Sequence, residues 1–456
     1  MSMIDTPVTE AMARFLDVSV FRHALITSNL ANIDTPGYSR LQPVLTENDP
    51  IIVGPLTLGT GVSLQNLESL RDPILQLRIQ EETQQQGQLD AFVSGMQQIE
   101  VNFTGSSGDI GTQISNFFSS LSQLARDPAS LPLRQAVLTA AGNLANSFHN
   151  TADNLSKQQS NLDLNVTQAV QQIDTLTTQI AKLNGQISTL ENANHDASAF
   201  IDQRDVLIGQ LSNLVDVSAI PSDSGLTLTT SNGTALVAGN LSFGLATQTD
   251  SSGVQHIFAQ GADITGKITS GSLAGALQVR DQKIPTLLSN LDTLAAGLGN
   301  ALNTANQAGF DLSGTAAGNL FVPPPISGQG AASSLTVAIT DPTLLAASSD
   351  GSPGSNGNIA TLLAVHDQAV AGGQTPNDYY ANLLFSVGSD VSNGSAELSA
   401  SQLILRQLQD QRGSISCVSL DEEAANMVRF QRAFDAAARV VTTVDQMLQT
   451  VINMGT

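Results

Sequence analysis

The sequence is poor in the residues on which disulfide frameworks and nucleic-acid sites depend. Its 456 residues include one cysteine, no tryptophan and three tyrosines. One cysteine cannot form a bridge within the chain, so a disulfide framework is excluded. The chain has only 18 Lys and Arg residues but 40 Asp and Glu residues, which gives a formal net charge of −22. Because phosphate recognition needs clusters of basic side chains, we expect no nucleic-acid partner.

Apolar runs in this sequence are short. None of them can span a bilayer, so we expect no membrane insertion. The N-terminal residues lack the basic region, apolar block and small-residue cleavage site of a secretory signal peptide, so we expect no cleaved signal. A chain of 456 residues can nevertheless bury a sizeable core, and we predict more than one domain.

Motifs that would indicate catalysis are incomplete. Residues 261–267 match most of a phosphate-binding loop, but Ile268 stands where such loops place the Ser or Thr that binds Mg²⁺, and a strand-to-helix turn is the better interpretation. The five histidines show no metal-binding spacing. Asp202 and Asp205 flank Arg204 on a predicted helix, where local ion pairs and caps are expected. We therefore predict no enzyme, no cofactor and no metal site.

The clearest pattern lies at the C-terminus. Apolar or small residues recur there in alternating steps of three and four, which is typical of a coiled-coil seam. They are Met427, Phe430, Phe434, Ala437, Val441, Val444, Leu448 and Val451. Ser419 and Glu422 form a capping box that predicts the start of this helix. The helix could pack into its own domain, or it could pair with another chain end or another copy.

A weaker seam of the same spacing occurs near the N-terminus. It comprises Met12, Leu16, Ser19, His23, Ile26, Leu30 and Ile33. Pro36 and Gly37 then end the helix, because the first biases Thr35 away from helical geometry and the second can adopt positive φ. We predict that the two terminal helices are partners.

Between the ends, the periodicity predicts more helices and one β-rich insertion. The clearest helical pattern covers about 131–190, and sixty helical residues would extend about 90 Å. The predicted fold is mainly α: an elongated α-helical coiled-coil or bundle body built from both chain ends, with a small inserted β-rich domain. The predicted segments are an N-terminal helix and extended linker (1–75), three parts of the helical body (76–217, 269–318 and 357–415), the β-rich insertion (218–268), a β-rich or loop segment completing it (319–356), and the C-terminal coiled-coil helix (416–456).

Several motifs resemble a known family. Residues 28–32 and 35–38, Ser-Asn-Leu-Ala-Asn and Thr-Pro-Gly-Tyr, are similar to the signature of rod, hook and hook-associated proteins of the bacterial flagellum. The Asp-Gln-Arg-Asp of 202–205 and the loop 309–314 resemble the hook-associated family in particular, as does the run 418–440. Departures from that family's pattern occur at His23, Leu41, Ser69, Cys417 and Phe434.

The resemblance implies a structural adaptor that joins hook to filament through paired terminal helices. It implies an extracellular location after flagellar type III export. The implied partners are other copies of the chain, the hook protein, the next hook-associated protein and an export chaperone on the C-terminal helix. The predicted assembly interface is Leu16, Ile26, Leu30, Met427, Phe430, Phe434, Val441, Val444, Leu448 and Val451, with a turn motif of Asn32, Thr35, Pro36, Gly37 and Tyr38.

Two other interpretations remain open at this stage. The first is another flagellar axial protein, a hook or rod subunit, which would lack the 202–205 region. The second is a secreted coiled-coil adhesin or type III translocator, which would not need both of its termini for function.

Overall fold

Long helices occupy both ends of the chain, as the seams predict. The computed structural model describes residues 5–53, 55–104, 108–222 and 225–454. The first helix is α1 (Asp5–Ala31) and the last is α11 (Leu420–Met454). They run antiparallel, since Arg22 lies over Phe430 whereas Arg40, beyond the end of α1, binds Glu423 near the start of α11.

Residues 41–70, predicted only as extended or irregular, form two antiparallel strand pairs. Strand β1 (Leu41–Glu47) pairs with β4 (Val62–Ser69), and β2 (Ile51–Val53) pairs with β3 (Leu56–Leu58). The β1–β4 ladder begins with Leu41 opposite Ser69 and contains a bulge at Val44. This ladder packs against α1 and thereby covers a second face of that helix.

The helical body is built from helices that are spread over most of the chain. It contains α2 (Pro73–Thr104), α3 (Ile110–Leu124), α4 (Leu131–Asn192), α5 (Ser198–Leu214), α6 (Gly271–Gln278), α7 (Ile284–Gln307), α9 (Gly357–Ala364) and α10 (Pro376–Ser416). Helix α4 contains 62 residues. Short polar side chains begin several helices: Asp72 Oδ1 accepts from the backbone N of Leu75 at 3.1 Å, and Asp109 Oδ1 accepts from that of Thr112 at 2.9 Å.

The helical body has its own apolar core. Phe103, Phe117, Phe148 and Phe321 are its most deeply buried aromatic members, and each is at most 1% exposed. Helix α10 lies antiparallel to α2, because Tyr380 donates to the carbonyl of Phe103 at one end. At the other end of the pair, Ser401 binds Glu82. The body is thus assembled from segments far apart in the sequence.

The second predicted part of the helical body, 269–318, does not contain one continuous helix. Residues Val279–Lys283 form a π-helical stretch between α6 and α7. Arg280, 1% exposed, points from this stretch to the Asp163 carboxylate on α4, 2.8 Å away, and to the carbonyl of Gln255 at the same distance. A buried arginine thereby ties the body to the β-rich region.

The β-rich region lies against the second half of α4. Its strands are β5 (Ser218–Ser222), β6 (Gly225–Thr229), β7 (Ala235–Ala238), β8 (Leu241–Ser242), β9 (Leu245–Thr249), β10 (Gln255–Ala259) and β11 (Ala262–Asp263). Strands β5–β8 form one sheet in sequential order, and β9–β11 form another. Val237 and Ile257, both fully buried, belong to the same apolar cluster as Ile173 and Ile180 of α4.

Residues 319–356 do not complete the β-rich region, contrary to the sequence prediction. Leu320 and Leu345 are fully buried in the core of the helical body. Asn303 of α7 accepts from the backbone N of Phe321 at 2.8 Å and donates to its carbonyl at 3.0 Å. The segment contains α8 (Ala331–Ser334) and irregular backbone, and it packs on α7 and α4. Its Gly, Pro and Ser content indicated loops but not which core they cover.

The remaining segment boundaries stay predictions. The fold class is confirmed: a mainly helical chain with long helices at both ends and small antiparallel sheets between them. Among the helices in the described ranges, none combines the length and apolar character needed to cross a membrane.

Candidate assembly interface

The two helices that carry the predicted seams pack against each other. On α11, Ala437 is buried, and Met427, Phe430, Phe434, Val441 and Val444 are half-buried. On α1, Ile26 is buried, and Leu16 and Leu30 are half-buried. The side chains of Leu448 and Val451 lie outside the described residues. Ile33, the last predicted position on the N-terminal seam, lies beyond the end of α1 and is 38% exposed.

Arginines flank the aromatic ring in the middle of this seam, which the apolar pattern did not predict. The guanidinium carbon of Arg22 lies 4.6 Å from the ring centroid of Phe430, and that of Arg429 lies 4.9 Å from it. Guanidinium groups at such distances are attracted to the face of the ring. Burial lowers the pKa of Arg22, and the nearby positive charge of Arg429 lowers it further. The ring therefore brings two like charges together.

Asn29 fastens the end of α1 to the first strand. Its Oδ1 accepts from the backbone N of Leu41 at 3.1 Å and from the Tyr38 hydroxyl at 2.8 Å, while its Nδ2 donates to the Leu41 carbonyl at 3.1 Å. Asn29 is 2% exposed, so these bonds satisfy a buried amide. Burial raises the pKa of the Tyr38 phenol.

The predicted turn motif lies between α1 and β1 and is held by local hydrogen bonds. Thr35 donates from its hydroxyl to Oδ1 of Asn32 at 3.1 Å, and the backbone N of Tyr38 donates to the Thr35 carbonyl at 3.2 Å. Pro36 is exposed. Gly37 has φ +83°, and a Cβ on it would overlap Cγ2 of Val206 on α5. The glycine is thus required both by the backbone conformation and by the close approach of another helix.

Asp202 connects this turn to the helical body, whereas the sequence analysis gave it a local role. Its Oδ2 accepts from the backbone N of Ser39 at 3.1 Å, and its Oδ1 accepts from Nη2 of Arg71 at 2.9 Å. Arg412 near the end of α10 donates to the Gly37 carbonyl at 3.0 Å. Three separate segments therefore meet at the turn. We call this set, Gly37, Ser39, Arg71, Asp202 and Arg412, the hub.

Arg204 and Asp205, the other two charged residues of the Asp-Gln-Arg-Asp motif, make a local contact of the kind that the sequence predicts. Arg204 Nε lies 3.7 Å from Oδ1 of Asp205, and Arg204 Nη1 donates to Oδ1 of Asn184 at 3.2 Å. Burial raises the pKa of Asp205, and the neighbouring arginines oppose that effect only in part. Burial also lowers the pKa of Arg204.

Arg40 joins the hub to the start of α11. Its Nε lies 2.7 Å from Oε1 of Glu423, and its Nη1 lies 2.8 Å from Oε2 of Glu422. Its backbone N donates to the Ser416 carbonyl at 2.8 Å. The predicted capping box is only half formed: the backbone N of Glu422 lies 3.4 Å from Oγ of Ser419, but the Glu422 carboxylate turns to Arg40. A long-range ion pair has displaced the local cap.

The loop-like motif at 261–267 makes the strand-to-helix turn that the sequence suggested. It runs from β11 into a short 3₁₀ helix, Thr265–Lys267. Asp263 Oδ1 accepts from both the hydroxyl and the backbone N of Thr265, at 2.7 and 2.9 Å. No group of metal-ligating side chains large enough to hold an ion occurs among the described residues.

Comparisons with known proteins agree with this arrangement. The family model described as "Flagellar hook-associated protein FlgK helical domain" matches residues 96–321, and that described as "Flagellar basal body rod FlgEFG protein C-terminal" matches residues 413–454. The chain is 28% identical to flagellar hook-associated protein 1 of Bacillus subtilis, over 97% of each chain. It is 26% identical to the protein of that name from Escherichia coli, over 94% of this chain and 96% of the relative.

A solved structure shares the fold. The flagellar hook junction protein FlgK from Burkholderia pseudomallei superposes with a TM-score of 0.66 at 18% identity, covering 74% of this chain and all of that one. The paired terminal helices and the two family models define a class, the axial proteins of the bacterial flagellum. Within that class, the chain is similar along nearly its whole length to flagellar hook-associated protein 1.

Proposed function

We propose that this chain is a structural subunit that joins the flagellar hook to the filament by packing of its paired terminal helices. One observation carries the proposal. The α1–α11 pair keeps large apolar side chains exposed outside its own seam: Val20, Val428, Val440 and Met447 are 59%, 49%, 42% and 64% exposed. Apolar surface of this kind is stabilised when another protein covers it.

The hub would fix the orientation of the paired terminal helices relative to the helical body of the subunit. Gly37 and Ser39 are held by Arg412 and Asp202, which lie on different helices of the body. Arg40 holds the start of α11 at the same place. Charge-assisted hydrogen bonds restrict orientation more strongly than apolar contacts do. The body would therefore keep a defined angle to the terminal pair when copies assemble.

The family matches favour a hook-associated protein over a hook or rod subunit. The C-terminal model is named for rod and hook proteins, so it does not separate the two. The helical-domain model does separate them, because its name is specific to the hook-associated protein. The 202–205 motif, which a hook or rod subunit was expected to lack, lies within the residues that this model matches.

The finer parts of the proposal concern partners and location. We propose that the ring of subunits meets hook protein on one side and the next hook-associated protein on the other, outside the cell. An export chaperone would bind α11 before assembly, because that helix has its main packing partner in α1 and leaves most of its other positions exposed. The relatives are structural flagellar proteins, and we propose the same non-enzymatic role for this chain.

A charge placed in the seam tests this proposal. Val441 is half-buried on the seam of α11. Val441→Glu would bury a carboxylate without a partner, which should cost several kcal/mol of free energy at each packed site. Because every copy carries the defect, cells making only this variant should export it, release filament protein into the medium and bear hooks without filaments.

Gln446→Glu is the matched control, because Gln446 is exposed on the same helix. Cells with this variant should swim. Normal filaments on Val441→Glu cells would show that the seam is not an assembly interface. Global unfolding of the purified Val441→Glu chain would instead make the seam part of the subunit's own folding core.

A further inference from the structure

The cluster around Phe430 carries more positive charge than its own chain neutralises. The guanidinium groups of Arg22 and Arg429 both lie against the ring of Phe430. The Nε of Arg22 is buried and has no hydrogen-bond partner among the described residues. Arg429 donates to the neutral side chain of Asn426, at 2.9 Å. Within the described part of the chain, neither guanidinium has a carboxylate at ion-pair distance, and two adjacent like charges repel.

The nearby acids are already engaged. Glu423 is 3% exposed at its side chain and lies against Arg40 Nε, and Glu422 lies against Arg40 Nη1. A cavity of about 240 Å³ opens beside these groups. Its lining includes Arg22, Arg40 and Arg429 but, of acidic residues, only Glu423. The cavity therefore presents surplus guanidinium groups to whatever enters it.

We infer that this cavity receives a carboxylate side chain from a second copy of the chain. The inference rests on the proposed assembly of terminal helices and names one contact within it. A carboxylate in this cavity would make short, charge-assisted hydrogen bonds to the guanidinium groups that line it and would offset their repulsion. It would also give the buried Nε of Arg22 an acceptor.

Charge complementarity indicates a second copy as the source. The chain has 40 acidic and 18 basic residues, so its surface offers carboxylates far more often than cations. The terminal helices themselves carry exposed aspartates that a neighbour could insert: Asp17, Asp421, Asp435 and Asp445. When terminal pairs pack side by side, their acids approach the arginines of the adjacent copy, and such pairs fix the register of an interface.

Zero-length crosslinking in intact flagella tests the inference. Neither terminal helix contains a lysine, so a carbodiimide that couples amines to carboxylates has no lysine there to react with in the wild-type chain. Arg429→Lys introduces one amine at the cavity. Flagella purified from cells making this variant should yield a crosslinked dimer several-fold above the wild-type background, with the new amide joining the introduced amine to an Asp or Glu of a second copy.

Arg439→Lys is the matched control, because Arg439 is exposed on the same helix and does not contact Phe430. A dimer of equal yield from this control would overturn the inference, since the cavity would then have no special role. So would coupling only to acids of the same chain, coupling to a different flagellar protein, or no coupling at all.

Two further measurements separate these failures from other causes. The purified Arg429→Lys chain should keep the wild-type thermal transition, so that loss of a dimer cannot be ascribed to unfolding. The amount of the chain in purified flagella reports on the proposed function itself. If wild-type chain is absent from flagella, the proposed function fails; if it is present but the variant gives no dimer, only the carboxylate contact fails.

Discussion

Arg40 and Glu423 lie 383 residues apart in the chain, and their Nε and Oε1 atoms are 2.7 Å apart. The pair closes the two ends of the protein onto each other. Glu423 is almost fully buried there, with 3% of its side chain exposed, whereas Glu422, the other partner of Arg40, is 63% exposed. The two glutamates therefore differ in how much each should stabilise the start of α11.

We expect Glu423→Gln to loosen the start of α11 while leaving the helical body intact. Loss of the buried charge partner should cost about 1–3 kcal/mol locally, because Arg40 would keep only the exposed carboxylate. Hydrogen exchange of the α11 amides measures this local opening. Glu422→Gln is the control, and an exposed pair of this kind should contribute at most about 1 kcal/mol. Equal protection in the two variants would contradict the assignment.

Asp202 and Asp205 should respond in opposite ways to removal of their charge. Asp202→Asn weakens the bonds to Ser39 and Arg71 and should destabilise the hub by about 2 kcal/mol. Asp205→Asn should be neutral or slightly stabilising, because burial already raises the pKa of Asp205 and so penalises its ionised form.

The pH dependence of the unfolding free energy should show whether the ionised carboxylate of Asp205 destabilises the fold. A carboxyl whose pKa is higher in the folded state than in the unfolded state destabilises the fold as the pH rises through that interval. Unfolding of the wild-type chain should thus show a loss of stability just above the ordinary Asp range, and Asp205→Asn should lack it. A variant with the same pH profile as wild type would refute this.

Gly37→Ala should disturb the turn through two separable effects. The left-handed φ of +83° would cost about 1–2 kcal/mol for alanine, and the added Cβ would also overlap Val206. Adding Val206→Ala should relieve the overlap but not the backbone strain, so the double variant should recover only in part. Hydrogen exchange across 32–41 measures the effect. Gly59→Ala is the control, since nothing lies within 4 Å of its added Cβ.

Tyr380 should make the helical body sensitive to high pH. Burial raises the pKa of its phenol to about 12, and its hydroxyl lies 3.3 Å from the carbonyl of Phe103. A group with a raised folded pKa loses its contribution as the pH rises from the unfolded value, about 10, towards the folded one. The wild-type free energy of unfolding should fall by about 2 kcal/mol over that interval.

Tyr380→Phe should remove this fall in the free energy of unfolding between about pH 10 and the folded pKa. The variant also loses the weak hydrogen bond to the carbonyl of Phe103. Chemical unfolding at about pH 9 and about pH 11.5 measures the difference, since these values bracket the ordinary phenol range. If both chains lose the same stability between the two pH values, the phenol is not the responsible group.

Local patterns were sufficient where the determining contacts are themselves local. Helix α3, Ile110–Leu124, lies within the predicted helical part 76–217, and its N-cap Asp109 and its apolar spacing act within a few residues. Helix α2 likewise begins at Pro73, directly after its cap Asp72. The two terminal seams were recognised from spacing, since a seam is a property of one helix face.

The sequence by itself thus determined the mainly helical fold class, the long helices at both ends, the presence of small sheets between them, the turn at Pro36 and Gly37, and the resemblance to hook-associated proteins. The tertiary structure decided which distant groups meet. It placed Asp202 on the turn rather than beside Arg204, gave the Glu422 carboxylate to Arg40 rather than to its cap, and packed 319–356 on the helical body. Local propensity cannot encode these choices, because contacts such as that of Asp202 with Ser39, 163 positions away, or of Glu422 with Arg40, 382 positions away, exist only once the chain has folded around them.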